Sequence, residues 1–242
     1  LFLKNFQKKV SPITKKNYSK YKSLNWYKSK ENKYINSNNL INSLTKINKE
    51  QKSCIVIDGG GTALYAGFQS SNIKYGQRVV CSSAISSMGT GLAETIGAYF
   101  SKKFKKILCI IGDGSFLMNI QDLQSIHQYK IPVVILIVNN NGYLAIRNTQ
   151  TDFLNRRWFG THPDWGLSLP SIKKIAKGFN IDYMLLKNSS INKQLKKLQN
   201  IKKPIIVELK AAENQRLLFS QIYKKKSDGV IEPQNLSDMN KS

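Results

Sequence analysis

Two continuous apolar runs, Lys106–Ile111 (KILCII) and Val133–Val138 (VVILIV), each stop abruptly at a polar, glycine-bearing stretch. Runs of that length without alternation predict strands buried on both faces of a parallel sheet. Between them, Met118 to Tyr129 has helical spacing, and Cys54 to Asp58 is a further buried strand ahead of a glycine triplet. Ala93 to Phe100 predicts a helix leading into the Lys106 strand, and Tyr183–Lys187 and Lys203–Leu209 (KPIIVEL) predict two later strands. Asn36 to Glu50, with Leu40, Ile41, Leu44 and Ile47 at helical spacing behind Asn and Ser caps, predicts an amphipathic helix packed at the sheet edge. Strands alternating with helices define an α/β protein, a parallel sheet of about six strands with helices on both faces.

The chemistry sits at the ends of the two apolar runs. Gly112-Asp113-Gly114-Ser115 follows the first and Asn139-Asn140-Asn141-Gly142-Tyr143 the second. Neighbouring parallel strands put Asp113 and Asn140 at one carboxyl edge, the usual ligand edge of open α/β sheets. Gly112 and Gly114 let main-chain amides approach a ligand, and the helix that follows favours an anion at its N-terminus. One carboxylate, one amide oxygen and a main-chain carbonyl, completed by phosphate oxygens and water, make an octahedral shell suited to Mg²⁺. Each residue taken singly has a plainer reading. Asp113 alone is a turn or N-cap aspartate, Met88 alone is core filler, and Asn139–Gly142 alone is a turn.

In combination, GDGS, a helix, a strand and a double Asn resemble the cofactor signature of thiamine diphosphate enzymes. Upstream, Ser86-Ser87-Met88-Gly89-Thr90-Gly91-Leu92 and the Gly59-Gly60-Gly61-Thr62 loop are similar to the family's segments, and Pro170–Phe179 and the last two strands complete the order. The resemblance runs over residues 36–210 and is greatest to the carboxyl-terminal cofactor domain of acetolactate synthase and its relatives. It implies that Asp113, the Asn140 side chain and the main-chain oxygen of Gly142 hold Mg²⁺. It implies that Gly61, Thr62, Gly112, Gly114 and Ser115 meet the diphosphate, with Asn140, Gly142 and Tyr143 in the same site. Met88 then sits between the two cofactor rings, with the main chain of Ser86 and Met88 facing the aminopyrimidine. The implied reaction is decarboxylation of a pyruvate-like 2-oxo acid, with transfer of the remaining carbon unit to an acceptor carbonyl.

Departures from the pattern leave the substrate open. Gly61-Thr62 replaces a Gln-His pair of acetolactate synthases, and Ala145 and Thr149 replace a methionine and a tryptophan. NNNGY is more loosely similar to thiamine enzymes associated with surface polysaccharides. The activating glutamate of this superfamily lies on a separate pyrimidine-binding domain, to which nothing here corresponds. Glu94 reads as a helix-surface or interface carboxylate. With Leu1 as its first residue, the chain is expected to be the carboxyl-terminal part of a longer enzyme, or one subunit of a split 2-oxo acid decarboxylase. The resemblance further implies a homodimer or homotetramer and a partner pyrimidine-binding domain from the same or another chain. FAD is compatible with a full-length enzyme, in a domain absent from these residues.

Composition narrows the rest. Net charge is +24, from 38 Lys and Arg against 14 Asp and Glu. The excess is overwhelmingly lysine, spread through every segment, and no nucleic-acid motif accompanies it, so a basic nucleic-acid-binding module is the weaker reading. Arg147 and the Arg156-Arg157 pair follow the cofactor loop and are candidates for an anionic substrate or a docking domain. Cys54, Cys81 and Cys109 lie in or beside predicted strands without metal spacing, which points to free thiols and a cytoplasmic setting. His127 falls on a helix, and His162, in the aromatic stretch Trp158–Trp165, is a candidate for the site mouth. Thr151 to Leu169 reads as a long functional loop. Residues 1–35 read as a linker or remnant of a preceding domain, 36–210 as the cofactor domain and 211–242 as a tail, with Leu217, Leu218, Phe219, Ile222 and Tyr223 able to form a lid. The opening LFL is too short for a membrane segment.

Overall fold

Side chains in the apolar runs divide between two faces, as successive residues of a strand must. Ile55, Ile57, Leu108, Ile110, Val134, Leu136, Val207 and Leu209 enter one core, and Cys54, Val56, Cys109, Ile111, Ile135, Ile137 and Ile206 enter the other. The computed structural model describes residues 34–82, 84–215 and 223–233. Strands β1 (Ser53–Ile57), β2 (Arg78–Val80), β3 (Lys106–Gly112), β4 (Val133–Asn139), β5 (Asp182–Leu185) and β6 (Ile205–Lys210) form one sheet in the order β2-β1-β3-β4-β6-β5. Every pairing in it is parallel. The expected six-stranded α/β architecture is therefore the observed one.

Helices α1 (Ser37–Ile47), α2 (Gly61–Ser70) and α8 (Ile191–Lys197) cover the first face. The second is covered by α3 (Thr90–Phe100), α4 (Asp113–Met118), α5 (Asp122–Gln128) and α7 (Ile172–Gly178). Helix α6 (Leu144–Phe153) follows the end of β4. Helix α1 begins as its Asn cap predicts: the Asn36 side chain accepts from Asn39 N at 3.0 Å. Its far end is closed by Lys74, whose ammonium donates to the carbonyls of Thr45, Lys46 and Asn48 at 2.9, 2.8 and 2.6 Å. Beyond the sheet, β7 (Tyr223–Lys225) and β8 (Ile231–Pro233) form a small antiparallel hairpin.

Three local expectations are corrected. The helix read at Met118–Tyr129 spans only Asp122–Gln128, and a separate helix, Asp113–Met118, precedes it directly after Gly112. The break falls at Asn119, whose side-chain amide donates to Gly89 O at 2.9 Å, a tertiary bond that competes with helix continuation. The stretch read as a loop from Thr151 is helical until Phe153, and α2 and α8 form where no helix was read.

Residues 1–33, within the stretch read as a linker, lie outside the described residues, as do Leu217, Leu218, Phe219 and Ile222 of the expected lid. Residues 211–215 pack against the domain: Ala211 N donates to Asn139 O at 2.8 Å, and the Gln215 side chain bonds Ser37 and Asn38. All three cysteines are free thiols. Burial pushes Cys54 up to about 11 and Cys109 to about 12, so neither is a ready nucleophile. No helix among the described residues is long and apolar enough to cross a membrane.

Candidate functional site

Strand order reverses between β1, whose successor β2 lies on one side, and β3, which lies on the other. Such a switch point opens a crevice at the carboxyl ends of the strands. A cleft of about 70 Å³ lies there, lined by Gly60, Gly61 and Thr62 after β1, Gly112 to Ser115 after β3, and Asn140 with Gly142 to Ile146 after β4, with Met88 from the turn before α3. Four segments far apart in sequence thus meet where the motif residues were read.

Glycine makes that meeting possible. A Cβ on Gly60 would stand 2.2 Å from Ser115 Oγ and 2.9 Å from Met88 Cγ. A Cβ on Gly114 would stand 2.3 Å from the Tyr143 ring. The cleft walls are in contact already, and any side chain at either position would enter them.

Asp113 and Asn140 form the polar floor. Asp113 is 4% exposed, with Oδ1 accepting from Gly114 N and Oδ2 from Gly142 N, each at 2.9 Å. Burial pushes its carboxyl up to about 6, against the opposing pull of those amides and of Arg147. The Asn140 amide nitrogen donates to Thr62 Oγ1 at 3.1 Å, while its Oδ1 is buried without a hydrogen-bond partner among the described residues. A buried, unsatisfied carbonyl oxygen costs about 1–3 kcal/mol unless something binds it. Beside a carboxylate that burial penalises, the deficit is one that a hard cation with oxygen ligands relieves, so the donor set fits Mg²⁺. Among the described residues no group of three or more His, Cys, Asp or Glu is placed to hold a metal.

Behind the floor stands a layer of residues that sequence reasoning did not single out. Asp58, fully buried, accepts from Gly60 N at 2.9 Å and from Gly89 N and Gly91 N at 3.0 Å each, which joins the glycine loop to the Met88 turn. Glu208 of β6 accepts from Asn139 Nδ2 at 2.7 Å and from the Tyr183 hydroxyl. Asn139 Oδ1 in turn accepts from Asn141 N at 3.0 Å. Glu213 accepts from Asn141 Nδ2 at 3.0 Å and lies 3.2 Å from His162 Nε2. The sequence signal for Asp58 was its place at the end of a buried strand. For Glu208 it was a lone carboxylate inside an apolar run.

Several candidates are not brought into the cleft lining. Ser86 lies behind it, its main chain against Gly59, where a Cβ would stand 2.6 Å from Ser86 C. His162 turns toward Glu213 and caps the short turn at Pro163–Trp165. Arg156 and Arg157 are exposed on the loop after α6, and His127 lies half-buried on α5. Glu94 is half-buried on α3, its carboxyl raised by burial against bonds from Thr90 and Ser82. Arg147 is buried and engaged by main-chain carbonyls, which corrects its reading as a group for an anionic substrate.

The profile described as "Thiamine pyrophosphate enzyme, C-terminal TPP binding domain" matches residues 46–209, and the chain belongs to that family. Thiamine pyrophosphate is the compound called thiamine diphosphate above. Among similar proteins, the acetolactate synthase large subunit of Porphyra purpurea is 29% identical over 160 residues, covering 64% of this chain and 27% of the relative. The probable acetolactate synthase large subunit of Methanococcus aeolicus is 33% identical over 132 residues, 52% of this chain and 21% of the relative. The acetolactate synthase large subunit of Buchnera aphidicola subsp. Schizaphis graminum is 29% identical over 209 residues, 85% of this chain and 33% of the relative. The chain therefore spans a third or less of the length of these relatives.

Proposed function

We propose that residues 36–210 hold thiamine diphosphate through Mg²⁺ and serve a cytoplasmic enzyme that decarboxylates a pyruvate-like 2-oxo acid and passes the remaining carbon unit to an acceptor carbonyl. The observation that carries this reading is the unpartnered Asn140 Oδ1 in the same cleft as the Asp113 carboxylate. Asp113, Asn140 Oδ1 and the Gly142 carbonyl are the protein's ligands to the cation. Gly61, Thr62, Gly112, Gly114 and Ser115 receive the diphosphate with amides and hydroxyls, and Tyr143 closes the wall over Gly114. Met88 supplies an apolar side chain against the glycine loop, and the Ser86 main chain backs that turn. When bound, the cofactor supplies an electron sink for the carbon–carbon bond that breaks. This chain's own contribution is to orient the diphosphate, neutralise it through the cation and keep water from the floor of the cleft.

A pyrimidine-binding domain, from the same or another chain of a dimer or tetramer, completes the site. Ala145 and Ile146 make the wall beyond Tyr143 apolar, which names no particular acid, so the identity of the 2-oxo acid is left to experiment. The test is carbon dioxide release from a panel of 2-oxo acids by the full enzyme with thiamine diphosphate and Mg²⁺. Release from at least one acid, abolished by Asp113→Ala, supports the reading. Release unchanged by Asp113→Ala overturns it.

A further inference from the structure

Arg147 stands in the first turn of α6 and is 3% exposed. A buried guanidinium is costly unless its donors are met. Here they are met by main-chain carbonyls of three separate segments. Nη2 donates to Asn140 O at 2.8 Å and to Glu213 O at 3.2 Å, and Nη1 donates to Thr161 O at 2.7 Å and to Asn141 O at 3.0 Å. A Cβ on Gly142 would stand 3.0 Å from Nη1 and 2.5 Å from Thr161 O, so the guanidinium lies directly behind that glycine. Gly142 N closes the circle by donating to Asp113 Oδ2.

From this we infer that Arg147 is a positioning residue for the cation site, a staple that binds the Asn140–Gly142 turn to the aromatic loop at Thr161 and to the segment after β6 at Glu213. The inference rests on the Mg²⁺ and thiamine diphosphate reading above and adds to it how the ligand turn is held. Planarity matters to the role: a fork of fixed N–H directions can meet several carbonyls at once, and an ammonium cannot reproduce that array. By turning the carbonyls of Asn140 and Asn141 toward itself, Arg147 fixes the two peptide planes that flank Asn141, between the Asn140 side chain and the Gly142 carbonyl.

Geometry and charge predict opposite results for its removal. A positive charge near the site repels Mg²⁺, so if charge were its whole effect, a neutral residue would tighten cation binding. If Arg147 acts by positioning, the same change weakens it. The experiment is a calorimetric Mg²⁺ titration of the full enzyme in saturating thiamine diphosphate, for wild type, Arg147→Met and Arg147→Lys. Thermal unfolding and tryptophan fluorescence from Trp158 and Trp165 accompany it. Weakening by roughly 10- to 100-fold in Arg147→Met, with partial recovery in Arg147→Lys, is expected, as for other outer-layer supports of metal ligands. Binding equal to or tighter than wild type in a folded Arg147→Met protein overturns the inference, as does lowered thermal stability with wild-type Mg²⁺ affinity. Should Arg147→Met fail to fold, Arg147→Lys decides: weaker binding supports positioning and equal binding overturns it. Wild type that shows no Mg²⁺-dependent binding removes the cofactor reading itself, a result distinct from wild-type binding that both variants retain.

Discussion

Asn140 at the end of β4 and Thr62 at the start of α2, 78 residues apart in sequence, are joined side chain to side chain, Nδ2 to Oγ1, at 3.1 Å. The bond fixes which way the carboxamide faces and leaves its oxygen without a partner among the described residues. Thr62→Val keeps the shape and removes the acceptor. In a Mg²⁺ titration with thiamine diphosphate it is expected to weaken cation binding about tenfold, the scale of outer-layer support, while Thr62→Ser retains it.

The Asp113 carboxyl sets a pH dependence with a definite sign. Burial holds its folded-state value at about 6, above the 3.8 of an ordinary aspartate. A raised acid favours the folded state fully while protonated, below about 3.8, and that contribution is lost as pH rises through about 6. In the cation-free protein, stability at pH 5 should therefore exceed that at pH 7 by a component that Asp113→Asn removes. Cation binding needs the carboxylate, so apparent Mg²⁺ affinity falls about tenfold per pH unit below that value, with a proton released for each ion bound. Denaturant midpoints across pH and calorimetry in buffers of different ionisation enthalpy check the two halves.

Adjacent glycines separate stability from binding. A Cβ at Gly59 would stand 2.3 Å from Ser87 O, a main-chain atom that moves only with its loop. Gly59→Ala is thus expected to destabilise the fold by about 1–3 kcal/mol, the usual cost of overpacking. At Gly60 the obstructing atoms belong to the side chains of Ser115, Met88 and Asp58 rather than to main chain, so Gly60→Ala is expected to destabilise less than Gly59→Ala and to bind thiamine diphosphate poorly. Melting temperature and ligand titration on the same pair of variants distinguish them.

Glu208 supplies the acceptor for two half-buried donors, Asn139 Nδ2 and the Tyr183 hydroxyl, and burial with that carboxylate raises the Tyr183 hydroxyl above its usual range. Glu208→Ala leaves both donors without that acceptor. The expected loss is about 1–3 kcal/mol for each, read from urea unfolding, and Tyr183→Phe loses less because only one partner changes.

The sheet was legible because both of its cores are written into uninterrupted apolar runs, and Gly112–Ser115 and Asn139–Tyr143 were legible because abrupt polar stops at two such runs place them at one edge. Asp58, Arg147 and Glu208 were not. Each has at least one partner far along the chain, 31 and 33 residues away for Asp58, 66 for Arg147 and 69 for Glu208, at separations that no local periodicity encodes. The break between α4 and α5 was hidden for the same reason, since Asn119 leaves the helix for a carbonyl 30 residues upstream. Arg147 misled in a specific way: an arginine after a ligand loop suggests an anion, and only the folded chain shows its donors committed to main-chain carbonyls.

The most direct measurement is calorimetric titration of the protein with thiamine diphosphate, with and without Mg²⁺, for wild type, Asp113→Ala and Asn140→Ala. The account predicts binding that requires Mg²⁺ in wild type and is lost in both variants, with melting temperatures near wild type. Binding that is indifferent to Mg²⁺, or that survives both substitutions, would contradict a cation site built on Asp113 and Asn140.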